Sequence, residues 1–141
     1  MHAAPAVAVA ATFVWLGMVL AISFLEAPLK FRAPGVTLAL GLGIGRLVFR
    51  ALNTAEAALA TALVVSLIVD APPLITAAAA GVAVATLLGQ VVVVRPQLSR
   101  RSDAVLRGED GPRSHAHWAY VGLECVKVVA LIVTGVTLLA A

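Results

Sequence analysis

The chain has 141 residues, of which 62% are hydrophobic and only 12% are charged. A soluble domain carries about 25% charged residues, because water must wet its surface. The composition therefore excludes an ordinary soluble domain and indicates an integral membrane protein. Residues 3–25 and 71–94 contain no charged side chain, and each stretch exceeds the ~20 residues that cross a bilayer as a helix. The first stretch lacks a basic leader, so we expect it to be a retained span and not a cleaved signal.

The apolar segments predict one all-α domain, an integral membrane four-helix bundle. In chain order, the spans are expected at about residues 5–25, 51–69, 74–94 and 117–138. A turn at Asp70-Ala71-Pro72-Pro73 separates the second span from the third, and residues 95–114 are expected to be a solvated connector.

Residues 35–52 are harder to place in this scheme. Their charge-free part is too short to cross the membrane and ends at Arg46 and Arg50. One continuous helix over residues 35–69 would be roughly 50 Å long, whereas the hydrocarbon layer is roughly 30 Å thick. We therefore expect an additional interfacial or re-entrant helix at about residues 35–50, followed by a bend at the glycines or at Asn53.

The basic residues predict the orientation. Of the ten Lys and Arg residues, four lie in the first connection and five in the third, and none lies near either terminus or in the Asp70 turn. Lys and Arg are concentrated in cytoplasmic loops. Both basic connections are therefore expected in the cytoplasm and both termini outside, in a cell (inner) membrane. This distribution also explains the pI of about 9.8 without a nucleic-acid partner.

The last span carries the most informative polar pattern. His117, Tyr120, Glu124 and Lys127 are spaced i, i+3, i+7 and i+10, so they share one face of a helix. Ionisable groups inside a membrane are costly, and they usually face the bundle interior, a partner or a watery cavity. The stripe therefore predicts where a ligand or reaction is handled.

Other polar residues are expected at the same depth, on the cytoplasmic side of the bilayer. They are Glu26 at the end of the first span, Glu56 in the second and Gln90 in the third. Arg46 and Arg50 would lie at the mouth of a pocket formed by these residues. If they bind no ligand there, their long side chains would reach lipid phosphates. The predicted ligand-binding set of a cytoplasm-facing polar pocket is thus Glu26, Arg46, Arg50, Glu56, Gln90, His117, Tyr120, Glu124 and Lys127.

Three interpretations of Lys127 are open from the sequence. It forms a structural pair with Glu124 on its own helix, it forms a structural pair across the bundle with Glu56 or Glu26, or it belongs to a working site that binds an anion, a proton or a polar head group. No metal and no cofactor are expected, because Cys125 is the single cysteine and the side chains of His115 and His117 diverge on a helix.

Several short motifs carry a family resemblance. They are Trp15-Leu16-Gly17, Phe24-x-Glu26-Ala27-Pro28-x-Lys30-Phe31, and Arg46-Leu47-Val48-Phe49-Arg50, with a basic loop before the last span. In this layout the chain resembles small uncharacterised bacterial four-helix membrane proteins and is similar to the transmembrane-protein-205-like group. The resemblance implies four spans and transfers no catalytic residue.

The leading functional hypothesis is a small transporter, channel-like subunit or ligand-binding membrane component. Lys127 would supply charge in its pocket, and Glu124 and Glu56 would exchange a proton or cation. One alternative is a membrane enzyme or redox accessory acting on a lipid or quinone, with His117 or Tyr120 handling the proton. The second alternative is a structural accessory subunit. Membrane lipid is the expected partner, with self-association or a partner membrane subunit also compatible with the sequence.

Overall fold

The structure, a computed structural model, describes residues 2–108 and 115–141. Over these residues the chain is all-helical, and four helices are long and apolar enough to cross a membrane. These are α1 Ala3–Lys30, α2 Leu38–Val69, α3 Leu74–Leu106 and α4 His115–Ala140. The predictions of an all-α fold and of four helices long and apolar enough to span a membrane are therefore confirmed.

The helix ends follow local sequence signals. The hydroxyl of Thr37 caps α2 by accepting a hydrogen bond of 3.1 Å from the backbone N–H of Leu40. Gly35 has a φ of 82°, a left-handed conformation that suits glycine, and it lies in the turn before this cap. Pro72 and Pro73 separate α2 from α3, since proline cannot continue the preceding helix.

Small side chains allow the helices to approach closely. α1 packs chiefly against α2, and α3 packs chiefly against α4, whereas the contacts between α1 and α4 and between α2 and α3 are less extensive. The buried core is rich in alanine, including Ala8, Ala60 and Ala83, and Leu63 and Leu131 fill its centre. Close approach through small residues is typical of membrane bundles.

The structure corrects the prediction of an additional interfacial or re-entrant helix. Residues 38–50 are the first part of α2, which continues without interruption to Val69. The prediction assumed that a helix must end near the membrane surface. Instead, α2 is longer than the hydrocarbon layer is thick, and α1 and α3 extend beside it. Arg46 of α2 binds Asp103 of α3 with an Nη1–Oδ1 distance of 2.7 Å, and Phe31 lies directly against Gly41.

The expected connector over residues 95–114 also needs correction. Residues Arg95–Leu106 are helical and continue α3 beyond its apolar part. The charged residues favoured a loop in the sequence, but the helix is stabilised by its contacts with the extended parts of α2 and α4. Residues 109–114 of this predicted connector lie outside the described residues.

Two helices contain wider, π-helical turns at the same end of the bundle. They cover Leu20–Glu26 in α1 and Gln90–Val94 in α3. Such turns rotate the following side chains relative to an α-helix and often occur at functional sites. Ser23 and Gln90 lie within them, and both side chains contribute to the cluster described below.

Candidate functional site

Lys127 lies at the centre of a polar cluster in the bundle interior. Its Nζ donates to Oε2 of Glu56, to Oε1 of Gln90 at 2.7 Å, and pairs with Oε1 of Glu124 at 2.6 Å. A lysine ammonium has three N–H donors, so these three acceptors match its full capacity. These side chains are almost completely buried: the exposed fraction is 0% for Lys127, Glu56 and Gln90 and 1% for Glu124. The ion pairs are therefore shielded from the exterior of the bundle.

The two carboxylates receive further hydrogen bonds from α1 and α3. The indole Nε1 of Trp15 donates to Oε2 of Glu56 at 2.8 Å. The hydroxyl of Ser23 donates to Oε2 of Glu124 at 2.6 Å, and the amide of Gln90 donates to Oε1 of Glu124 at 3.3 Å. All four helices therefore contribute to one cluster, which we call the buried network: Trp15, Ser23, Glu56, Gln90, Glu124 and Lys127.

The charges within the buried network are unequal. When every group is ionised, Glu56 and Glu124 carry two negative charges against the single positive charge of Lys127. Oε1 of Glu56 is buried and has no hydrogen-bond partner, whereas both oxygens of Glu124 are bonded. An uncompensated charge in a low-dielectric interior is costly. The network is therefore suited to holding one additional positive charge, either a proton or a cation.

A second cluster lies one helical turn from Glu124. Tyr120 is buried and packs edge-to-face on Phe49, with ring centroids 5.8 Å apart. The guanidinium carbon of Arg95 lies 4.7 Å from the centre of the Tyr120 ring and 5.0 Å from that of Phe49. These are cation–π distances. Gln90 joins the two clusters, because its amide lies 3.4 Å from the backbone oxygen of Tyr120.

The structure brings together four of the predicted site residues: Glu56, Gln90, Glu124 and Lys127. Lys127 contacts both candidate partners, since it pairs with Glu124 on its own helix and with Glu56 across the bundle. The hydroxyl of Tyr120 does not take part in the buried network.

The remaining predicted residues lie elsewhere. Glu26 pairs with Lys30 at 3.6 Å, so it is not the partner of Lys127. Arg50 is exposed on α2, and Arg46 pairs with Asp103 as described above. The ring of His117 lies edge-on to that of its neighbour Trp118, with centroids 5.3 Å apart.

Four contributing residues were missed from the sequence: Trp15, Ser23, Phe49 and Arg95. The signal for Trp15 was its indole N–H, because a buried tryptophan usually finds a hydrogen-bond acceptor. Ser23 gave no usable signal, since a single serine in an apolar span usually bonds to its own helix backbone. Arg95 was assigned to a loop because it begins the charged stretch.

Two apolar surface grooves accompany the network without including any of its residues. One lies between α2 and α3 and contains Ala57, Ala60, Leu87 and Leu88 among its lining residues. The other lies over the first part of α2 and includes Gly43 and Leu47. Within the described residues, no group of three or more His, Cys, Asp or Glu side chains is placed to hold a metal ion.

Comparison with protein-family models, with curated proteins and with solved structures finds no match for this chain. The resemblance to the transmembrane-protein-205-like group therefore stays a prediction.

Proposed function

We propose that this chain is a small membrane transporter or ligand-binding membrane component whose buried network takes up and releases one positive charge, in the simplest case a proton. The observation that carries the proposal is the pairing of two fully buried carboxylates with one ammonium. A proton on either carboxyl group would make the network neutral. Its release would leave one negative charge, partly stabilised by the donors of Trp15 and Ser23.

A purely structural role explains this arrangement less well. A structural ion pair needs one group of each sign, and well-packed apolar residues often replace such a pair without loss of stability. The second carboxylate adds a desolvation cost and no further ammonium. We therefore favour a network that changes its protonation or binds a cation during function.

The polar groups point to access from one end of the bundle. Beyond Lys127, the interior is dominated by apolar residues such as Leu131 and Leu138. The hydroxyls of Thr12 and Thr134 donate to backbone oxygens of their own helices at 2.7 and 2.8 Å. The hydroxyl of Thr76 donates to that of Thr137, which donates to the backbone of its own helix, so none of these bonds leads to the buried network. This pattern favours a binding site or an alternating carrier over an open channel.

We propose that the accessible end is cytoplasmic, in a cell (inner) membrane, with both termini outside. The support is the concentration of Lys and Arg in the first and third connections. Single cysteines replacing Asp70 or Arg100 in a Cys125→Ser background would test this orientation with a membrane-impermeant maleimide. Labelling of the Asp70 position only after the membrane is opened would contradict it.

The groove between α2 and α3 favours a second candidate, a membrane enzyme or redox accessory acting on a lipid or quinone. Its apolar lining includes Ala60 and Leu87. Glu56 precedes Ala60 by one helical turn, and Gln90 follows Leu87 by nearly one turn. An apolar substrate seated in the groove would lie near the network. Saturable quenching of tryptophan fluorescence by a soluble quinone, abolished by Ala60→Leu, would favour this candidate.

The leading proposal is tested by infrared spectroscopy of the purified protein in lipid nanodiscs. A protonated carboxyl group gives a C=O stretching band that a carboxylate lacks. We expect a pH-dependent band that disappears in Glu56→Gln or Glu124→Gln but persists in Glu26→Gln, whose carboxylate lies outside the network. Proton flux into vesicles containing the protein should show the same dependence. A pH-independent spectrum and no Glu56- or Glu124-dependent flux would contradict the proposal.

A further inference from the structure

Arg95 carries an unpaired hydrogen-bonding edge. Its Nε and Nη2 atoms are both buried and neither has a hydrogen-bond partner. In the planar guanidinium group these two nitrogens lie side by side, so their N–H bonds form one fork that points in one direction. Phe49 and Tyr120 contact the guanidinium through their rings, and these ring contacts do not satisfy the Nε and Nη2 donors.

The same cluster contains a third unpaired donor. The hydroxyl of Tyr120 is buried without a hydrogen-bond partner, and the residue as a whole is only 6% exposed. Buried polar groups in proteins are nearly always hydrogen-bonded. Three unpaired donor atoms in one cluster therefore indicate that an acceptor normally occupies this place.

No acidic side chain of the described residues supplies that acceptor. Arg95 takes part in no ion pair among the described residues. The acidic residue of α4 is Glu124, and its two oxygens are already bonded to Lys127, Gln90 and Ser23. Within the described part of the chain, no carboxylate neutralises the positive charge of Arg95, which can therefore attract an external anion.

We propose that Arg95 and Tyr120 form a binding site for a phosphate group. A phosphate offers two oxygens to the arginine fork in the bidentate geometry that arginine favours, and a third oxygen accepts from the Tyr120 hydroxyl. This site is separate from the charge uptake proposed for the buried network, and neither proposal requires the other.

The position of Arg95 defines two sources for the phosphate. It directly follows the charge-free residues 71–94, so it lies where the apolar part of α3 ends and lipid headgroups begin. The source is either the headgroup of a membrane lipid or phosphate from the aqueous phase. Both present the same oxygens to the fork, and the experiment separates them.

The single tyrosine of the chain provides a direct probe. Protein labelled with meta-fluorotyrosine and purified in dodecyl maltoside, a detergent without phosphate, gives one fluorine NMR signal from Tyr120. We expect a saturable shift on adding sodium phosphate, measured against sodium chloride at equal ionic strength, if free phosphate is the ligand. A shift only with mixed micelles of phosphatidylglycerol would identify a lipid headgroup.

Variants then test the role of the fork. Arg95→Lys keeps the charge but loses the bidentate edge, so the affinity should fall at least about tenfold. Tyr120→Phe, followed by thermal stabilisation instead of fluorine NMR, should weaken binding about three- to tenfold through loss of one hydrogen bond. Arg100→Gln, on the exposed surface of the same helix, is the matched control and should leave binding unchanged.

Two results would overturn the phosphate site. One is the absence of a saturable shift with either probe in the unsubstituted protein, which needs no variant to fold. The other is unchanged affinity in Arg95→Lys, which would leave Arg95 as a cation stacked on two rings.

Discussion

Replacement of Lys127 by methionine tests the buried network most directly. Methionine is similar in length and unbranched, so it fills the space of the lysine stem but carries no charge. The substitution leaves the carboxylates of Glu56 and Glu124 in the interior with only the neutral donors of Trp15, Ser23 and Gln90.

The expected loss of stability follows from the contacts of Lys127. Removing one partner of a buried ion pair costs about 3–5 kcal/mol, and here one ammonium serves two carboxylates. We therefore expect the free energy of unfolding of Lys127→Met to fall by about 3–5 kcal/mol at neutral pH. The loss should shrink in acid, because protonated carboxyl groups carry no charge to desolvate.

The neutral triple variant Glu56→Gln/Glu124→Gln/Lys127→Met is the matched control. It removes every charge from the network while the glutamine side chains still accept from Trp15 and Ser23. Its stability should return to within about 1–2 kcal/mol of the original, since buried ion pairs contribute little net stability. The double variant Glu124→Gln/Lys127→Met should stay destabilised, because Glu56 remains charged.

Unfolding by titration of sodium dodecyl sulfate into dodecyl maltoside micelles, followed by circular dichroism, measures these differences. Lys127→Met could have the same free energy of unfolding as the original protein at neutral pH, with the triple variant no more stable than Lys127→Met. Lys127 would then not stabilise the two buried carboxylates. A triple variant that is stable but shows no charge uptake would separate folding from function.

Three further predictions concern the rest of the fold. A Cβ at Gly41 would overlap the ring of Phe31, whereas one at Gly43 meets nothing within 4 Å. Gly41→Ala should therefore be less stable than Gly43→Ala by about 1–2 kcal/mol in the same unfolding assay. Equal stabilities would place the ring elsewhere. Arg46→Gln should cost less than about 1 kcal/mol, because its partner Asp103 is partly exposed and surface ion pairs contribute little; a larger loss would show that this pair holds the extended helices together. Cys125 has an exposed side chain on α4, and lipid should cover it, so a membrane-impermeant maleimide should label it only after detergent solubilisation. Rapid labelling in intact membranes would indicate that water reaches this face.

Length, composition and the positions of the charges determine the class of this protein from sequence. An apolar stretch long enough to cross a bilayer has few other stable environments, so four such segments predict four helices. The helical spacing of Tyr120, Glu124 and Lys127 also shows that these residues share one face of α4. These inferences succeed because they depend on local geometry and on the cost of placing charge in hydrocarbon.

The extent of the helices was decided by tertiary contacts. The sequence favoured a break near Arg46, since a single helix over residues 35–69 exceeds the hydrocarbon thickness. The structure retains one helix because α1 and α3 extend beside it. Glycine at position 41 leaves room for the ring of Phe31, and Asp103 pairs with Arg46.

The partners of Lys127 could likewise not be predicted from the sequence alone. Glu56 and Glu26 were both at the correct depth for an ion pair, but depth does not specify the direction in which a side chain points. The rotation and packing of α2 bring Glu56 to Lys127, while Glu26 pairs with Lys30 on its own helix. Sequence therefore determined that the membrane interior would contain charge, and only the packing of four helices decided which charges would meet.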